Sequence, residues 1–308
     1  MPSRLFLSSG DLMADRRFDF ARDLQLKGDL AAAADLLLQA IELAPDFASA
    51  WFTLGAIREQ LGEREAATAA FRRAQAADPT DRHGASLRLM LSGAEPLSGM
   101  PPAYARLLFD QYASKFEASL VGDLGYRGPA LLFKAVLAAR AALGLPPAFD
   151  RVIDLGCGTG LAARAFAAVA GEIIGIDLSP RMIERARLTG LYAELDVAEI
   201  VQGLVRQPDA SADLILAADV MVYVHDMAPL LAEVARVLAP GGLFAFTLES
   251  HPGEGVVLGE GLRYAYGAAS ARMLIEAAGL TLERLEPASS RTESGAQVPG
   301  LVAVAAKR

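Results

Sequence analysis

The sequence is poor in several residue types, and each shortage narrows what it can do. It has one cysteine, three histidines, one tryptophan and four lysines in 308 residues. With Cys157 alone no intrachain disulfide can form, which fits a reducing compartment such as the cytoplasm. His83, His225 and His251 lack the short spacings that hold a metal, so no metal site is expected. No stretch approaches the roughly 18 apolar residues of a membrane span. The opening Met1–Gly10 has too short an apolar core for a signal peptide. Basic charge is short too: 29 Lys and Arg face 37 Asp and Glu, for a net charge of −8. Neither the first hundred residues nor the remainder is basic, which argues against a nucleic-acid partner. The lysines are Lys27, Lys115, Lys134 and Lys307. So strong an arginine preference reads as genomic composition rather than phosphate recognition.

What is abundant is alanine and leucine. Hydrophobic residues make up 53% and charged residues 21%, ordinary for a folded globular chain. The length allows two domains.

The first third repeats itself. Gly28 and Gly62 are 34 residues apart, as are Ala33 and Ala67, Ala40 and Ala74, and Pro45 and Pro79. Small residues at Gly55 and Ala67 let paired helices approach, while Trp51, Leu54 and Phe71 fill the space between them. Pro45 and Pro79 each close a second helix, since proline has no amide hydrogen to donate. This pattern resembles the tetratricopeptide repeat, with Ala14–Phe47 as a degenerate first copy. Arg82–Leu91 reads as a closing helix. The expected organisation is an all-α helical domain over residues 1–92, comprising two repeats and a capping helix. A Gly/Pro-rich linker over 93–102 and a second domain over 103–308 follow. Short stacks of repeats need a further surface to lean on. The helical domain therefore reads either as a groove for a protein partner or as a structural appendage, and oligomeric state is left open.

The second domain opens with Arg151-Val-Ile-Asp-Leu-Gly-Cys-Gly-Thr-Gly160. Val152–Leu155 reads as a buried strand and Leu161–Val169 as the following helix. Between them, Gly156, Gly158 and Gly160 permit a sharp turn and close backbone approach to a ligand. The spacing is GxGxG rather than the GxGxxG of nicotinamide-binding folds. A second strand, Glu172–Asp177, ends in a carboxylate able to accept from both ribose hydroxyls. Leu178-Ser-Pro-Arg-Met182 then opens a helix, with Ser179 as cap and Pro180 in its first turn.

These two motifs resemble the class I S-adenosylmethionine (SAM)-dependent methyltransferases. The order helical repeats first, Rossmann-like domain second, is similar to bacterial methyltransferases of that architecture. The resemblance implies a seven-stranded, mostly parallel Rossmann-like α/β sheet. It also implies transfer of a methyl group from SAM, leaving S-adenosylhomocysteine. Asp154 would lie near the methionine ammonium, with Gly156, Cys157, Gly158, Gly160, Asp177, Leu178 and Met182 completing that half of the cofactor site. Cys157 reads as a small filler of the loop rather than a nucleophile. Tyr192–Ile200 looks like the third strand and the adenine turn. There Glu199, or in competition Asp196, would accept from the adenine amino group, and the Ile200 amide would meet the ring. Asp213–Tyr223 looks like the fourth strand, bringing Asp219 to the cofactor, and Leu243–Leu248 like the fifth. Leu108–Glu117 resembles the helix that lids the cofactor, with Tyr112 and Phe116 on one face; packing is their other reading.

Acceptor residues are less defined. His225 and Glu249, expected near the mouth, are the candidate bases. Arg263, Tyr264 and Tyr266, in an insertion over 253–267, are candidate acceptor contacts, with Arg263 suited to a carboxylate or phosphate. The acceptor itself, a small molecule or a protein side chain, is not indicated. Two rivals stand beside this reading: a scaffold that keeps the SAM fold without turnover, and a nicotinamide-dependent oxidoreductase, which the loop spacing disfavours.

Overall fold

A computed structural model describes residues 5–113, 125–293 and 295–308. The chain divides after Leu107 into two compact units.

The first unit is a run of helices: α1 (Leu12–Lys27), α2 (Leu30–Leu43), α3 (Ala48–Gln60), α4 (Arg64–Ala77) and α5 (Ala85–Leu91). The repeat spacing reappears as local geometry. Gly28 and Gly62 take φ of 85° and 80° where one helix hands over to the next, a conformation that favours glycine. A Cβ on Gly55 would meet the Phe71 ring at 2.7 Å, so the small residue on α3 is what lets α4 dock. Phe18, Leu37, Phe47, Leu54 and Ile57 form the core between the pairs. The closing helix starts at Ala85, three residues later than its sequence suggests. The Asp81 carboxylate accepts from the amides of Ala85 and Ser86 at 2.6 and 2.9 Å, and Gly84 takes a φ of 74°. Residues 82–84 are thereby used in a capped turn. Helix α6 (Pro102–Tyr112) begins at the last residue of the expected linker, and the division between units falls inside it.

The second unit alternates strands and helices: α7 (Gly128–Ala142), β1 (Phe149–Leu155), α8 (Leu161–Phe166), β2 (Ala170–Asp177), α9 (Pro180–Arg187), β3 (Glu194–Val197), α10 (Ile200–Val205), β4 (Ala212–Ala217), α11 (Ala228–Val237) and β5 (Leu238–His251). After these come β6 (Val256–Leu258), β7 (Tyr264–Gly267), α12 (Ala268–Ala277), β8 (Leu280–Pro287), β9 (Thr292–Glu293), β10 (Ala296–Gln297) and β11 (Gly300–Lys307). Seven strands lie in the order β3-β2-β1-β4-β5-β11-β8. All run parallel except β11, which is antiparallel to both its neighbours. This is a Rossmann-like sheet. Strand residues Val152, Leu214, Leu216, Leu243, Val302 and Val304 pack against Leu132, Val136 and Phe166 of α7 and α8. The segment read as an insertion contributes two short strands to the sheet: β7 pairs in parallel with the end of β5, and β6 pairs with β7. Among the described residues no helix is long and apolar enough to cross a membrane.

Candidate functional site

The strand order reverses at β1, with β2 on one side and β4 on the other. In an open parallel sheet that reversal leaves a crevice beyond the carboxyl ends of the strands. The loop Gly156–Gly160 leaves β1 at this place. Gly156, Gly158 and Gly160 take φ of 60°, 53° and 94°, and a Cβ on Gly156 would strike Val220 Cγ2 at 2.5 Å. The loop is tied down where the Cys157 amide donates to the Ile176 carbonyl at 3.1 Å and the Gly160 amide to the Cys157 carbonyl at 2.9 Å. The Cys157 side chain is buried with Ile183 and Ala186. Burial and the nearby carboxylates push its thiol well up, away from the thiolate a nucleophile needs.

Two acids face burial with no cation beside them among the described residues. Asp154, at the end of β1, is 1% exposed and accepts from the Tyr192 hydroxyl at 2.7 Å. Burial raises its pKa to about 7, and Asp177 adds to the rise. Asp177, at the end of β2, accepts from the amides of Gly158 and Ser179 at 2.9 and 2.8 Å. Burial raises it to about 6. Asp177 thus shapes the glycine loop directly, and a second lone pair remains on each oxygen. In the same glycine loop, Thr159 Oγ1 lies buried with no hydrogen-bond partner among the described residues. A buried carboxylate without a counter-charge and an orphaned hydroxyl are both costly. A ligand carrying an ammonium and hydroxyl groups would relieve both, so the residues present fit the adenosyl cofactor.

Farther along the crevice, Glu199 caps α10: its Oε2 accepts from the amides of Val201 and Gln202 at 2.9 and 3.2 Å. The Ile200 amide is outside that cap. Asp196 is paired instead with Arg206 at 2.6 Å, which favours Glu199 of the two candidates. Met182 is buried on α9, its amide bonded to Ser179 Oγ at 3.1 Å; Leu178 is half-buried in the turn before it. The last turn of α6 is held to both sides of the crevice. Asp110 accepts from the Ser179 hydroxyl at 2.5 Å, and the Phe109 ring meets Tyr223 edge-on with centroids 5.1 Å apart. Tyr112 lies half-buried in that turn, while Phe116 lies outside the described residues.

Beyond the ends of β4 and β5 a cluster of charged side chains closes on itself. Asp219 has a φ of 60°, rare for a residue with a side chain, and its amide donates to Thr247 Oγ1 at 2.9 Å. Arg291 reaches Asp219 at 3.3 Å, Glu249 at 2.5 Å and Glu293 at 2.9 Å. Arg263 pairs with Glu293 at 2.8 Å and lies 3.3 Å from the Tyr223 hydroxyl. Burial pushes Glu249 up, even against the two arginines. Tyr126 is pushed well up by burial and by Asp219 and Asp154, which places its phenol near both acids.

The acceptor candidates therefore separate. Glu249, Arg263 and Asp219 belong to one cluster, and Arg263 is already committed to carboxylates of the chain rather than open to one on a ligand. Tyr264 is 0% exposed and packs near the His225 ring with centroids 5.4 Å apart. The Tyr266 hydroxyl lies 2.5 and 3.0 Å from the carbonyls of Val224 and His225. His225 and Tyr266 line a different cavity, with Met227, Val256, Ser270 and Leu274. Sequence reasoning missed Arg291, Tyr126, Tyr192 and Thr159. Thr159 lies within the glycine motif and Tyr192 within the quoted third strand, so both were within reach. Arg291 lies in a polar stretch without a motif, and two of its partners, Asp219 and Glu249, are far away in sequence.

Residues 153–246 match the family described as Methyltransferase domain, and residues 48–81 match Tetratricopeptide repeat. A ubiquinone biosynthesis O-methyltransferase of Xanthomonas oryzae is 34% identical over 106 residues, covering 33% of this chain and 44% of that protein. The chain thus spans under half the length of this curated relative. Among solved structures, the 1,6-didemethyltoxoflavin-N1-methyltransferase of Burkholderia thailandensis, bound to S-adenosylhomocysteine, aligns with a TM-score of 0.51 at 21% identity. The alignment covers 69% of this chain and 92% of that one. The [4+2]-cyclase SpnF aligns with a TM-score of 0.53 at 19% identity, covering 68% and 99%. At these identities the structural likeness is one of fold.

Proposed function

We propose that this chain, a class I methyltransferase-domain protein with a tetratricopeptide repeat in front, moves a methyl group from SAM to an unidentified small-molecule or protein acceptor. The observation that carries the reading is Asp154, a buried carboxylate with no cation among the described residues, beside a glycine loop at the switch point of the sheet. When bound, SAM supplies an electrophilic methyl on a positively charged sulfur. Asp154 would hold the amino-acid end through its ammonium, with Gly156, Cys157, Gly158 and Gly160 offering backbone at close range. Asp177 would accept from the ribose hydroxyls, Glu199 and the Ile200 amide would read the adenine, and Leu178 and Met182 would flank it.

For the acceptor, the chain's task is alignment and exclusion of water, since an in-line displacement gains most from correct placement. Where the acceptor must shed a proton, Glu249 is the nearer candidate to take it, because its raised pKa suits a base; His225 is the second. Asp219 would face the cofactor from the cluster side. The single buried cysteine fits work in the cytoplasm, and the curated relative is bacterial. The helical unit is proposed as a site for a protein partner.

A binding role without turnover is the rival. It is favoured by the charged residues at the mouth, which already satisfy one another. Calorimetric titration with SAM, S-adenosylhomocysteine and NADH tests the cofactor: adenosyl ligands alone should bind in the micromolar range. Binding of NADH, or of nothing, would overturn the assignment. Transfer of labelled methyl to candidate acceptors then separates enzyme from scaffold.

A further inference from the structure

Ahead of α1 the chain runs without regular structure from Leu5 to Gly10, and it is held as a peptide ligand is held. The Leu7 amide donates to Ser49 Oγ at 2.8 Å, and the same hydroxyl donates to the Leu7 carbonyl at 3.1 Å. One buried side chain therefore satisfies both backbone groups of one residue, which reads main chain rather than side chain. His83 Nε2 lies 3.1 Å from that Oγ. The ring helps fix the hydroxyl's direction, as donor or acceptor according to its tautomer. Immediately after Leu7, Ser8 and Ser9 bond the Asp15 carboxylate at 2.5 and 2.7 Å, and the Ser9 amide donates to it at 2.8 Å. The Phe6 ring rests against Phe18 and Phe47, with centroids 5.3 and 6.1 Å away.

Asp15, Ser49 and His83 are spaced by the repeat period, 34 residues each time. They occupy one equivalent position in successive repeats, at the starts of α1 and α3 and just ahead of α5. A polar side chain at the same place in each repeat forms a ladder along which an extended chain can lie. Packing does not require this, since an apolar residue would bury more cheaply there. The segment is also lightly held. Phe6 remains 41% exposed, and Gly10, at a φ of 82° with open space around it, hinges the segment to α1.

We propose that the row Asp15, Ser49 and His83 is a peptide-binding site filled in cis by Leu5–Ser9. Its partner in trans is a protein presenting an extended segment of the same chemistry: an aromatic residue between aliphatic ones, followed by small hydroxyl residues. The tether gives the chain's own segment a high effective concentration, so a free peptide competes poorly until the aromatic anchor is weakened. The inference is independent of the methyl-transfer reading and its test needs no cofactor.

The probe is a fluorescein-labelled peptide spanning Leu5–Asp11, titrated into the full-length chain and read by anisotropy. The Phe6→Ala chain should bind it at least tenfold tighter than the native chain, and adding Ser49→Ala should remove that gain. Equal binding by the native and Phe6→Ala chains would overturn the proposal, as would a gain that survives Ser49→Ala. Because Ser49→Ala could disturb the helices, hydrogen exchange on the native chain gives a second reading. Excess peptide should accelerate or replace protection at the Leu7 amide in proportion to its concentration, and exchange indifferent to the peptide would reject the site.

Discussion

Arg291 and Glu249 lie 2.5 Å apart at the mouth of the crevice, and the arginine side chain is 1% exposed. The two residues lie far apart in the chain, one in the connection between β8 and β11, the other at the end of β5. A buried guanidinium is tolerated only when carboxylates surround it, and here Asp219 and Glu293 complete the set. The pair ties the connection to the strand ends.

Arg291→Met removes the main cation and leaves Asp219 and Glu249 close together, with only Arg263, 3.9 Å from Glu249, to offset them. Breaking a buried ion pair from one side costs about 3–5 kcal/mol. The expected result is a loss of that order in urea-unfolding stability of the second unit, with Arg291→Lys falling between, because lysine lacks the planar fork. A loss under about 1 kcal/mol would mean that the cluster is not held by this residue.

SAM affinity should depend on pH through Asp154. Its pKa is raised to about 7 in the free protein, and an ammonium ligand favours the ionised form. Binding below pH 7 must therefore expel a proton. Affinity should rise with pH, by up to about tenfold per unit, and level off above pH 7. Calorimetry in buffers of different ionisation enthalpy reads the released proton directly. Tyr192→Phe removes the hydrogen bond that lowers the Asp154 pKa, so the rise should move to higher pH. A profile that stays flat in both proteins would remove Asp154 from the ammonium site.

Gly156→Ala tests the loop geometry. The new methyl would sit 2.5 Å from Val220 Cγ2 at a φ of 60°, combining a clash with backbone strain of about 1–2 kcal/mol. SAM binding should fall at least tenfold while the helical unit melts unchanged. Adding Val220→Ala relieves the clash but leaves the strain, so recovery should be partial. Full recovery would show that the backbone angle is unimportant.

Stability of the helical unit should fall in mild acid. Burial holds His83 at about 4, below its ordinary 6.5, and the Asp78 carboxylate only partly offsets this. The folded state resists a proton that the unfolded chain accepts, so stability is fully present above pH 6.5. It is lost progressively toward pH 4 and flattens below it. Thermal melts between pH 7 and 4 should show this slope, and His83→Gln should reduce it. An unchanged slope in the variant would assign the acid sensitivity elsewhere.

The parts legible in the sequence are those whose chemistry is local. Asp154 and the three glycines sit within seven positions, and Asp177 is placed by the strand that carries it. The repeat period made the helix pairs visible because each pair is one supersecondary unit. The start of α5 was misread because the Asp81 turn competes with the helix for residues 82–84, and nothing in the apolar pattern marks that competition. The segment 253–267 read as an insertion for a related reason: β6 and β7 are short, and only pairing with the end of β5 makes them strands.

That two kinds of architecture follow one another, and where the glycine loop lies, were legible in the sequence, because repeat spacing and glycine conformation act over a few residues. Tertiary structure alone decided which charged side chains meet at the mouth and why Arg263 is not free. It also decided that Asp15, Ser49 and His83 share one chain segment. Most of those relationships join residues 30 to 72 positions apart, which only the closing of the sheet and the stacking of the repeats bring within hydrogen-bond reach.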